Sequence, residues 1–216
     1  MGTLTTFDRV CMSIDDIKRK YNQTTFVETG CLQGESILFM MLKEYDTIFS
    51  CDINNDLVEY TINFLKQYRF NSTVRILNKN SVDFLEFIVP NLPKTESVFF
   101  FLDAHLPHFY DKTDGDPNTN DIKISDVTLT EKFEINFPLE KELDVIYKYR
   151  KGCRDFIVCD DARVYMDSNW VNGNWEDRKL FEGLNFEFLA KYKDEYDYTI
   201  SFDQDGWLIL TNKEKQ

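Results

Sequence analysis

Phe26-Val27-Glu28-Thr29-Gly30-Cys31-Leu32-Gln33-Gly34-Glu35-Ser36, followed one helix later by Ile48-Phe49-Ser50-Cys51-Asp52, decides the reading of this chain. An apolar run ends in an acid, passes through a turn with Gly30 and Gly34, and opens a helix near Glu35 and Ser36. A second apolar run then ends in another carboxylate, Asp52. Glycine permits positive φ and close approach of backbone to a ligand, and a helix start directs its unpaired N–H groups toward whatever fills the turn. The acid closing the second strand of such a βαβ unit accepts hydrogen bonds from ribose hydroxyls. The expectation is a nucleoside-cofactor site.

The glycine spacing narrows it. A loop that wraps a pyrophosphate carries G-x-G-x-x-G, whereas here three residues, Cys31-Leu32-Gln33, separate two glycines. The E-x-G-x-x-x-G pattern with a downstream Asp resembles motifs I and II of the Rossmann-like, class I S-adenosylmethionine (SAM) methyltransferases. Carried over residue by residue, the resemblance implies that Glu28, Thr29, Gly30, Gly34, Glu35, Ser36, Asp52 and Ile53 line the SAM site.

Composition agrees with a single globular domain over residues 1–216, with 43% hydrophobic and 15% aromatic residues. The longest apolar run, Ser97 to Leu102, is far too short to cross a bilayer, so no membrane span is expected. Five cysteines, odd in number and without a C-x-x-C pair, suit reduced thiols in a cytoplasmic setting. The net charge of −13 disfavours a polyanion, hence no nucleic-acid partner, and leaves small or neutral acceptors such as glycans.

Five strongly apolar runs recur along the chain, at residues 25–28, 47–52, 73–77, 97–102 and 155–159. Helical patterns lie between and after them, at 35–44, 56–68, 81–87, 138–150 and 177–192, with Asp56 and Ser81 as expected caps. Continuous apolar runs separated by amphipathic helices indicate parallel strands covered on both faces. Tyr198 to Phe202 and Trp207 to Leu210 flank Asp203-Gln204-Asp205-Gly206 and read as a closing hairpin. The fold class is therefore α/β, a Rossmann-like three-layer sandwich; the resemblance adds a seven-stranded sheet with its last strand inserted antiparallel. Residues 106–137 form a long polar segment placed for a lid.

Two more strand ends carry reactive groups, Asp103-Ala104-His105 and Asp160-Asp161-Ala162-Arg163. In a parallel sheet they share the ligand-binding edge, where grouped carboxylates suit Mg²⁺ or Mn²⁺. The placement resembles metal-dependent O-methyltransferases acting on sugar hydroxyls, and the F-L-D-A-H and D-D-A-R strings resemble a group linked with glycan modification in bacteria and large DNA viruses. That resemblance implies Asp103, Asp160 and Asp161 as metal ligands and Asp103 also as a cofactor contact. Where such proteins carry an acid after the third strand, this chain has Lys79-Asn80-Ser81, so Asn80 and Ser81 stand as the adenine contacts.

The resulting expectation is a SAM-dependent O-methyltransferase, assisted by a divalent metal, that acts on a sugar or oligosaccharide acceptor, with Asp103 or His105 taking the hydroxyl proton. Arg163 is placed to meet a carboxylate of cofactor or substrate, or to pair with Glu140, and Trp170 and Trp175 to stack on a sugar ring or to plug a core edge. Three alternatives stay open: a catechol-like acceptor, a nucleic-acid acceptor, and a SAM-binding subunit without catalysis.

Overall fold

The computed structural model describes residues 4–104, 137–173 and 183–213. Seven strands form one sheet in the order β3-β2-β1-β4-β5-β7-β6. These are β1 (Thr25–Thr29), β2 (Thr47–Asp52), β3 (Thr73–Asn78), β4 (Val98–Leu102), β5 (Phe156–Cys159), β6 (Tyr196–Ser201) and β7 (Trp207–Asn212). The first five run parallel, and β7 lies antiparallel between β5 and β6. Central strands such as Val98-Phe99-Phe100-Phe101-Leu102 are buried at every residue, as expected where both sheet faces are covered.

Side-chain alternation sorts the core into two halves. Phe26, Phe99, Phe101, Phe156 and Trp207 point to one face, which is packed by α1 (Leu4–Val10), α2 (Ile14–Tyr21), α3 (Glu35–Leu42) and α4 (Asn55–Leu65). Val27, Phe100, Leu102, Ile157 and Leu208 point to the other, covered by α5 (Ser81–Ile88) and α6 (Leu139–Arg150). A fully buried pair ties the second layer to the sheet: Arg150 Nε and Nη2 donate to the two Asp155 oxygens at 2.9 and 2.7 Å. The same guanidinium caps the carbonyls of Pro93 and Glu96, so its charge is met on every side.

Several local expectations are corrected. The cap of α4 is Asn54 rather than Asp56, and that of α5 is Asn80 rather than Ser81, since each Asn oxygen reaches the N–H two or three residues on. Of the helix expected at 177–192, the described part is a 3-10 turn over Glu187–Tyr192. Gly183 at φ 90° and the Asn185 side chain, which accepts from Glu187 N–H, lead into that turn. α1 and α2 were not anticipated, although α2 shows its signals plainly: Ser13 as cap, Asp15 and Asp16 in the first turn, and Lys18 to Lys20 in the last. No helix among the described residues is long and apolar enough to cross a membrane.

Candidate cofactor and active site

The strand order reverses direction between β1 and β4, and open α/β sheets bind their ligands in the crevice beyond the strand ends at such a point. Gly30 sits there with φ 85°. Its N–H and that of Cys31 both donate to Cys51 O, at 3.0 and 2.8 Å, folding the turn onto the end of β2. A Cβ on Gly30 would lie 2.8 Å from Asp103 O, so backbone packs on backbone at the switch point. Leu32 also takes positive φ, and Gly34, at φ 79°, begins α3 with its Cα against the Thr61 methyl. Thr61 Oγ1 donates to Leu32 O at 2.7 Å, which fixes the outer limb of the loop to α4.

Asp52 clamps this turn. Its Oδ2 accepts from Leu32 N–H at 3.1 Å and its Oδ1 from Asn54 N–H at 2.9 Å. Burial raises its pKa, and those same N–H groups pull it back down. Ile53, half-buried, accepts through its carbonyl from Asn78 Nδ2 at 2.9 Å.

Glu28 lies beneath the loop rather than on it. It has no exposed surface, and its two oxygens accept from the hydroxyls of Ser36 and, at 2.6 Å, Ser50. Burial pushes its pKa up to about 7 against the two hydroxyl donors. Thr29 is likewise buried, with its Oγ1 and O both accepting from Asp103 N–H at 3.2 and 3.1 Å. Glu35 is exposed in the first turn of α3. Asn80 is exposed as the cap of α5, its amide joined to both the backbone and the carboxylate of Asp83, while Ser81 is buried.

Asp103 and Asp160 are neighbours, since Leu102 pairs with Cys159 and Asp160 N–H donates to Leu102 O at 3.0 Å. Asp161 departs from them. It adopts φ 51°, and Arg163 bridges its carboxylate at 3.2 Å to that of Asp205 at 2.8 Å, in the β6–β7 turn. Arg163 thus pairs with these two acids rather than with Glu140. Among the described residues no group of three or more His, Cys, Asp or Glu side chains gathers as a metal site. Through Arg163, Asp161 fastens the end of β5 to the hairpin. His105, Trp175 and all but Phe137 of the lid segment lie outside the described residues. Trp170 is 6% exposed, stacks on Phe202 at 4.8 Å and covers Gly206, which makes it a plug of the hairpin turn and leaves no open face for a sugar.

One acid was missed. Glu142, on α6, is 1% exposed and faces the same small cavity as Asp160, Asp161, Ala104 and Tyr165. Its signal was present, because Glu142 falls three residues after Leu139 and four before Ile146, on the apolar stripe of the helix. A wider cavity adjoins through Tyr165, lined by Phe137, Glu140, Leu184 and Phe188.

No family model and no curated protein sequence matches this chain. Solved structures do match in shape. The SAH-bound Podospora anserina methyltransferase PaMTH1 superposes with a TM-score of 0.57 at 14% identity, over 93% of this chain and 76% of that one. A Staphylococcus aureus protein assigned as a caffeoyl-CoA O-methyltransferase gives 0.58 at 17% identity, over 93% and 81%. The SAM complex of the O-methyltransferase TomG from Streptomyces achromogenes, involved in tomaymycin synthesis, gives 0.52 at 14% identity, over 93% and 78%. At these identities the likeness establishes the fold: a Rossmann-like α/β sandwich, of the kind those methyltransferases have, with β7 inserted antiparallel beside β5.

Proposed function

We propose that this chain is a SAM-dependent O-methyltransferase whose acceptor is a hydroxyl of a sugar or oligosaccharide. The observation that carries the cofactor assignment is the Gly30–Gly34 turn, bound by Asp52 on one side and packed on Asp103 O on the other, at the sheet's switch point. SAM occupies that crevice, with its ribose against Asp52 and its adenine toward Ile53 and the β3 end near Asn80 and Ser81. Glu28 shapes the turn from below through Ser36. The shape neighbours solved with SAM or SAH support the same ligand.

In the reaction the acceptor oxygen forms a bond to the methyl carbon, the carbon–sulfur bond breaks, and its electron pair neutralises the sulfonium. The hydroxyl proton passes to a base, which we assign to Asp103 at the end of β4, beside the turn. Holding oxygen, carbon and sulfur in line is mainly a positioning task. The acceptor reaches the methyl group from the α6 side, past Tyr165, where aromatic faces of Phe137 and Phe188 suit the apolar face of a deoxysugar. Mg²⁺ or Mn²⁺, for which Asp103, Asp160 and Asp161 are the proposed ligands, would acidify the acceptor hydroxyl. The five free cysteines, four of them buried, fit the cytoplasm as its compartment.

The test is mass spectrometry of reactions containing SAM and matched panels of oligosaccharides, catechols, small carboxylates and RNA, with and without excess EDTA. A single methyl on a glycan, lost on Asp103→Asn, is the expected product. Methylation of RNA or a catechol with no glycan product would overturn the acceptor assignment. Full turnover in EDTA would remove the metal from the proposal.

A further inference from the structure

The acidity of this chain is unevenly spread. It has 38 acids in 216 residues, yet from Tyr60 to Val82 there is not one carboxylate, and the charged side chains in that stretch are Lys66, Arg69, Arg75 and Lys79. All four are exposed. Among the described residues none of them pairs with a carboxylate: Lys66 Nζ donates to Asn63 Oδ1, and Lys79 Nζ lies over the Phe87 ring at 5.8 Å. Four cations with no carboxylate partner among the described residues, in a protein with thirteen excess negative charges, form a local field opposite in sign to the whole.

These cations flank an open sheet edge. β3 is the terminal strand and pairs with β2 alone among the described residues. Val74 and Ile76 pack on the α4 side, so alternation turns Arg75 to the α5 side, where Lys79 lies over Phe87 of α5, while Lys66 and Arg69 follow α4. Along that helix and the turn after it runs a ladder of rings, Tyr60–Phe64–Tyr68–Phe70, with centroids 6.3, 5.4 and 6.3 Å apart. Tyr60, Tyr68 and Phe70 are 53%, 40% and 36% exposed.

We propose that the β3 edge is a docking site for an extended, acidic segment of a partner protein that carries apolar residues between its carboxylates. The free edge supplies main-chain hydrogen bonds, the rings take the apolar side chains, and the cations on both faces take the carboxylates. A six-residue strand spans about 20 Å, more than twice the screening length at physiological salt, so the patch governs a short segment. A long nucleic acid would extend past it onto a repelling surface and would leave the strand edge unused.

The test uses fluorescence anisotropy of a labelled decapeptide alternating Glu with Val and Phe, the same peptide with Gln for Glu, and a deoxythymidine oligomer of matching length. Each is titrated with the wild-type chain and with the Arg69→Glu/Arg75→Glu variant, whose fold is checked by circular dichroism. The Glu peptide is expected to bind at least about tenfold tighter than the Gln peptide, to lose about tenfold on charge reversal, and to slow amide exchange at residues 73–78. Binding of the oligonucleotide but not the peptide would overturn the proposal, as would no peptide binding up to millimolar concentration. Sedimentation showing self-association that vanishes in the variant would also overturn it, assigning the edge to a second copy.

Discussion

Gly30 and Asp103 meet main chain to main chain: a Cβ on Gly30 would stand 2.8 Å from the Asp103 carbonyl oxygen and 3.3 Å from Ala104 Cα. The cofactor turn and the end of β4 are therefore one packed unit, and the residue proposed to take the acceptor proton is positioned by the residue proposed to admit the cofactor. Gly30→Ala adds both that collision and a side chain at φ 85°. The expected outcome in chemical denaturation is a loss of about 1–3 kcal/mol, accompanied by loss of SAM binding in the fraction that remains folded. A variant of unchanged stability would show that the turn has room to move.

Glu28 makes stability depend on pH. Its folded pKa of about 7 stands above the ordinary 4.5, because burial penalises the anion. The folded state therefore holds the proton more tightly than the unfolded one, a contribution fully present below pH 4.5 and lost as pH rises through 7. Glu28→Gln should flatten the stability profile across that window and exceed wild type at alkaline pH by up to about 3 kcal/mol. Urea titrations at a series of pH values check this.

Removing Arg150 tests the buried pair under the second helical layer. Arg150→Leu strips both oxygens of Asp155 of their guanidinium donors and leaves an unpaired buried charge. A loss of about 3–5 kcal/mol is expected, measured by denaturant midpoint. Arg150→Leu with Asp155→Asn, which removes the charge as well, should recover part of it.

The sheet was readable because its central strands are continuous apolar runs, and periodicity resolves such runs best when both faces are buried. The turn holding Glu28, Gly30 and Asp52 was readable too, since two glycines between an acid-ended strand and a helix mark a strand-to-helix turn. What each acid does was not readable. Nothing in the order of residues shows that Glu28 points inward to Ser50, or that Asp161 turns at positive φ to meet Arg163 and Asp205 from a hairpin more than forty residues later. Asp160 and Asp161 look equivalent in the chain, and only the backbone twist between them separates the one beside Asp103 from the one bound to the hairpin. Glu142 was passed over because a lone acid in a helical pattern is ordinarily solvated, and its place on the buried stripe outweighs that habit.

Isothermal calorimetry with SAM, on the wild-type chain and on Asp52→Ala, decides whether the Gly30–Gly34 turn is a SAM site. One site per chain is expected for the wild type. Binding weaker by more than about tenfold is expected in the variant, which loses the carboxylate proposed to meet the ribose and the clamp on Leu32 N–H. No heat from millimolar SAM added to folded wild-type protein would contradict it.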